Sequence, residues 1–195
     1  MPKTWRYALI SSKFFENSCP QGSKVTKIKL FAWPSGGNSG GATSGLVQRP
    51  GLFRLSPPIS NSRSGRPLAE DFFSLFAGDL SNSDHWSKVN WVRDLRPGDL
   101  IAWLLPEGSQ SRDTGHTMIV EGVLKIDGSI ALVRVIDSTV SPHMSDSRPA
   151  GTNGLGTGII GIALDSAERA IGFLWRGSES TKIHYTDIAF GRLLK

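Results

Sequence analysis

The chain has 195 residues, of which 38% are hydrophobic and 20% charged, enough apolar content for a packed core. No run approaches the roughly 18 apolar residues of a membrane span, and the opening stretch lacks the apolar core of about 7–15 residues that a signal peptide needs. The single cysteine, Cys19, excludes an internal disulfide and a cysteine-rich zinc site. The net charge of +5 is uneven: residues 1–66 hold ten Lys or Arg and one acid, Glu16, while the remainder holds twelve basic and sixteen acidic residues.

Two composition regimes meet near residue 66. Ser, Gly and Pro supply 25 of residues 1–65. Such a segment gains little by burial and loses much chain entropy on ordering, so 1–65 reads as a basic, poorly ordered or atypical amino-terminal segment and 66–195 as the domain. Within the first regime only residues 24–33 look like a strand.

In the second regime, Pro67 suits a first helical turn, and Glu70 and Asp71 favour the positive helix end. Leu68, Phe72, Leu75 and Phe76 then share one face. Pro97-Gly98-Asp99 forms a turn leading into a strand near 99–105. Strands are predicted near 116–125 and 130–137, split by Asp127-Gly128, the strongest short hairpin signal. Two more are predicted near 157–164 and 170–175. Five sequential strands with short links predict an α+β domain: an antiparallel sheet of five to six strands with few helices.

With Asp127 and Gly128 as the central turn residues, Glu121 faces Arg134 and Met118 faces Asp137. His116 and Asp137 then become diagonal neighbours on one face, within side-chain reach. A carboxylate on one imidazole nitrogen fixes the tautomer and frees the other nitrogen to act as a base. A purely structural His–Asp hydrogen bond at a strand end fits the same spacing. His85 and His184 read as surface residues. His143, in the loop after the Asp137 strand, reads as a loop anchor, with a place in the same cleft as the alternative. Four scattered histidines and one cysteine predict neither a metal site nor a cofactor.

Pro97-Gly98-Asp99 followed by Gly115-His116 and an apolar run, with Asp137 on the next strand, resembles the NlpC-type papain-like cysteine peptidases and amidases, a bacterial group, over about residues 66–195. The resemblance implies a papain-like fold and hydrolysis of an amide, with cell-wall peptide (peptidoglycan) as substrate. His116 would be the base and Asp137 its orienting partner. The family's nucleophile is a cysteine at a helix amino terminus, usually in Asp-Cys-Ser-Gly. Here the best-fitting segment is Ala42-Thr43-Ser44-Gly45, so Thr43 stands at the nucleophile position, and Cys19 is the sole thiol.

Three functions follow as expectations. The first is a cysteine hydrolase of this kind, active or degenerate. The second is a non-catalytic binding module that holds an anionic polymer such as wall material. The weakest is nucleic-acid binding through the basic arm, which lacks any supporting motif. As written the chain reads as cytoplasmic, and as a cell-envelope protein if its amino terminus is incomplete or misread.

Overall fold

The computed structural model describes residues 67–81, 83–105 and 114–194. The division at residue 65, the strand expected at 24–33, Cys19 and Thr43 therefore lie outside the described residues. One α-helix, α1 (Ala69–Ala77), is followed by eight strands: β1 (Trp86–Val89), β2 (Leu100–Leu104), β3 (Gly115–Asp127), β4 (Ile130–Thr139), β5 (Gly154–Leu164), β6 (Ala170–Leu174), β7 (His184–Tyr185) and β8 (Ile188–Leu193). They form one sheet in the order β1-β8-β2-β3-β4-β5-β6-β7, and every neighbouring pair is antiparallel.

This overturns the expected papain-like α+β architecture. The sheet has eight strands rather than five or six, and the described residues are largely β, with a single α-helix. The missed strands are β1, β7 and β8. β7 has only two residues, too few for any pattern. β8 has no alternation because both its faces are covered: Ala189 packs in the cluster under α1 while Phe190 packs in the main core.

Only Thr186 and Asp187 separate β7 from β8, yet β7 pairs with β6 and β8 pairs with β2. The sheet therefore curls until its β6 side meets β2. Thr186 fastens the seam, its N–H donating to Ile171 O at 3.3 Å and its hydroxyl to Leu104 O at 2.8 Å. Trp103 of β2 stacks on Phe173 of β6 across the interior at 4.4 Å. Ile101, Met118, Val120, Val133 and Ile160 fill that interior. On the other face of β2 and β8, Phe76 of α1 is fully buried, 5.1 Å from the Trp86 ring. Asp71 Oδ2 accepts the Leu68 N–H at 2.8 Å and so closes the helix start.

The β3–β4 hairpin reaches its functional end by an unexpected route. The turn residues are Gly128 and Ser129, with Asp127 opposite Ile130, so the turn sits one residue later than predicted. Two register shifts in β3, between Val120 and Gly122 and between Val123 and Lys125, correct the offset. Arg134 consequently faces Gly122, not Glu121, and the expected Glu121–Arg134 pair is absent from the register. By Ile119, opposite Ile136, the pairing is again the one that sets His116 diagonal to Asp137.

Candidate active site

Gly115 opens β3 with φ of +148°, a backbone state that L side chains rarely adopt. A Cβ there would stand 1.9 Å from Trp103 O, so the residue before His116 must be glycine. His116 follows opposite Trp103 of β2, and its side chain remains 23% exposed. Its Nε2 lies 2.7 Å from Asp137 Oδ2, and the Asp137 side chain is wholly buried.

A second histidine shares the same oxygen. His143 Nε2 lies 3.0 Å from Asp137 Oδ2, and its Nδ1 lies 3.1 Å from Trp175 O. The loop carrying His143 follows β4 and lies along β5, with Met144 bridged to Ile159. Gly158 of β5 makes room for it, since a Cβ there would come within 2.5 Å of His143 Cβ. Asp146 organises the loop by accepting the His143 N–H and the Arg148 N–H, each at 2.8 Å. Arg148 donates Nε and Nη2 to Asp146 at 2.8 and 2.5 Å. Its Nη1 donates to Thr139 O and Gly154 O.

Arg148 Nη2 also stands 3.4 Å from Asp137 Oδ1 as an ion-pair partner. That oxygen is buried and accepts no hydrogen bond among the described residues. Burial pushes the Asp137 carboxyl up, but hydrogen bonds from His116 and His143, with their charges, outweigh it and hold it below the ordinary carboxylate value. Hydrogen bonds from Arg148 hold Asp146 well below the usual range. Those same bonds to Asp146 raise Arg148 further above its ordinary value against the opposing effect of burial.

Because Asp137 is ionised, the His116 nitrogen facing it carries the proton. Nδ1 is then the basic lone pair, and it has no hydrogen bond among the described residues. Aromatic rings flank this imidazole: Trp103 at 5.7 Å and Trp175 at 5.3 Å. Trp175 also lies 4.4 Å from the His143 ring. The cluster is thus a half-buried imidazole with one anchored and one free nitrogen. That arrangement suits proton transfer at the free nitrogen.

No family model, curated protein or solved structure matches this chain. The structure brings His116 and Asp137 together, while the two nucleophile candidates, Cys19 and Thr43, lie outside the described residues. His143 is more than a loop anchor, because it reaches the same carboxylate. Asp146 and Arg148 were not singled out from sequence; their only signal is an acid and a base spaced around a serine in a polar loop. His85 is exposed, as expected. His184 is half-buried and stacks on Phe173 at 5.1 Å, so it is not a simple surface residue. Among the described residues, no group of three or more His, Cys, Asp and Glu is placed to hold a metal ion, and no helix is long and apolar enough to cross a membrane.

Proposed function

We propose that this protein is an amide hydrolase in which His116, oriented by Asp137, activates a nucleophile against a peptide-type carbonyl. The observation that carries the reading is the 2.7 Å contact between a partly exposed imidazole and a fully buried carboxylate. A buried, ionised acid holds the tautomer, and the exposed side of the ring meets substrate. His116 Nδ1 would take the nucleophile's proton as that atom attacks the carbonyl carbon. The same proton would pass to the departing amine, and water would release the acyl group by the reverse assistance. The likeness of Pro97-Gly98-Asp99 and Gly115-His116 to NlpC-type peptidases supports cell-wall peptide as the substrate class. Cys19 is the one thiol and Thr43 the residue at the matching position.

The test is hydrolysis of peptidoglycan stem peptides by the full chain, compared with His116→Ala, Cys19→Ser and Thr43→Ala. The expected result is turnover lost in His116→Ala and in one of the two nucleophile variants, which names the nucleophile. Undiminished turnover in His116→Ala would overturn the reading. A second reading, a non-catalytic module for an anionic wall polymer, is favoured by one observation: the sequence has no Asp-Cys-Ser-Gly run, and its only cysteine lies in Ser18-Cys19-Pro20. Salt-sensitive polymer binding without turnover in any variant would select it.

A further inference from the structure

We infer that His143 carries a proton on both ring nitrogens, and that this buried cation is a positioning residue that tempers the hold of Asp137 on His116. The consequence for catalysis rests on the hydrolase reading above; the protonation itself does not.

The first observation is donor chemistry. Trp175 O can only accept, so His143 Nδ1, 3.1 Å away, must donate. Asp137 Oδ2 faces Nε2 at 3.0 Å; the same oxygen faces His116 Nε2 at 2.7 Å and Arg148 Nη2 stands 3.4 Å from Oδ1, surroundings that suit a carboxylate, so Nε2 donates as well. A neutral ring would set a nitrogen lone pair against a carboxylate oxygen, with both side chains wholly buried. Turning the ring over would put carbon atoms at both positions and lose both bonds. The Met144–Ile159 bridge and the close approach to Gly158 hold the ring where it is.

The second observation is charge balance. The groups around the His143 ring are His116 from β3, Asp137 from β4, and Asp146 and Arg148 from its own loop. β5 contributes only Gly158 and Ile159. The segment after β6 contributes the Trp175 carbonyl, beyond which Arg176 and Glu179 neutralise each other at the surface. Asp137 and Asp146 are two anions, and Arg148 is the single fixed cation that touches both. A protonated His143 supplies the second positive charge and brings the buried cluster to neutrality, the condition under which such a cluster is tolerated.

This arrangement differs from a simple His–Asp pair. An isolated carboxylate would strongly stabilise a proton on His116 Nδ1 and so block the base at mildly acid pH. Here the Asp137 charge is shared with His143 and Arg148, which weakens its hold on His116. His143→Gln keeps a side-chain donor toward Asp137 but removes the charge.

The experiment is nitrogen-15 NMR of the imidazoles in the full chain, with His143 assigned through its contacts to Trp175. At pH 7 both His143 nitrogens should show the signature of protonated ring nitrogens. One protonated and one bare nitrogen would overturn the inference, and this arm needs neither a variant nor turnover. In His143→Gln, the pH at which the His116 signals change should rise, as loss of a neighbouring positive charge requires. The acid limb of the hydrolysis profile should move with it. An unchanged or lower midpoint would reject the positioning role. Absence of hydrolysis alongside a doubly protonated His143 would sink the hydrolase reading and leave the protonation standing.

Discussion

Arg192 holds Asp99 through two parallel hydrogen bonds, Nε to Oδ1 and Nη2 to Oδ2, each of 2.8 Å. Asp99 ends the Pro97-Gly98-Asp99 turn, is almost fully buried, and also accepts the Arg96 N–H at 2.8 Å. The pair joins the entry of β2 to β8 and so fixes the seam-side strand against the strand that runs beside His116. Removing one member of a buried pair costs about 3–5 kcal/mol. Arg192 is partly exposed, so solvent screening reduces the expected loss for Arg192→Met to about 2 kcal/mol. Urea unfolding followed by circular dichroism should show a lower midpoint with an unchanged slope. A shift too small to resolve would show that the clamp does not contribute to stability.

Gly115→Ala should be far more damaging than its size suggests. The added Cβ meets Trp103 O at 1.9 Å in a backbone state that alanine resists. Relief requires β3 to move away from β2 at the residue before His116. The expected loss is about 3 kcal/mol or more, combining backbone strain with displaced packing. Thermal unfolding would measure it. A variant as stable as the parent would mean that β2 and β3 separate freely at this point.

The legible parts of the molecule were those with local chemistry. Pro67, Glu70 and Asp71 announced α1 within two residues of its observed start, and the apolar runs located β2 to β6. Glycine chemistry marked the hairpin but not its frame, since the turn fell at Gly128-Ser129 and two bulges in β3 compensated. His116 met Asp137 because those bulges cancelled the misplacement of the turn, which no pairing sum from sequence anticipates. β8 escaped notice because burial on two faces erases alternation, and with it went the closure of the sheet. His143 and Arg148 reach Asp137 by a loop that Asp146 organises and that is laid along β5, a long-range placement that spacing along the chain does not encode.

Acid should destabilise the protein through the same cluster. Asp137 and Asp146 both have lowered values in the folded state. A depressed carboxylate contributes stability that is fully present above its unfolded value, about 4, and is lost as pH falls through the folded one. The unfolding free energy should therefore decline below about pH 4, with proton uptake accompanying unfolding. Asp146→Asn should be less stable at pH 7 and should show a shallower decline in acid, because one of the two linked groups is gone. Denaturant titrations at a series of pH values provide the check; parallel curves for the two proteins would remove Asp146 from the account.

Asp137→Asn tests the orienting role most directly. An amide is nearly the same size as the carboxylate, so the side chain can still fill its site. Its NH₂ group, turned toward His116, would donate to Nε2 and drive the ring proton onto Nδ1. The base would then be blocked at the atom that must accept the nucleophile's proton. By analogy with other oriented histidine bases, kcat for amide hydrolysis should fall by about 10⁴-fold, while KM changes little because substrate does not touch the buried residue. The loss should ease as pH rises, when the wrongly placed proton can be removed. The variant must first be shown to unfold cooperatively, since His143 and Arg148 also lose their anion. A folded Asp137→Asn protein that keeps parental kcat at neutral pH would show that His116 acts without Asp137, and a loss confined to KM would place Asp137 in substrate binding instead.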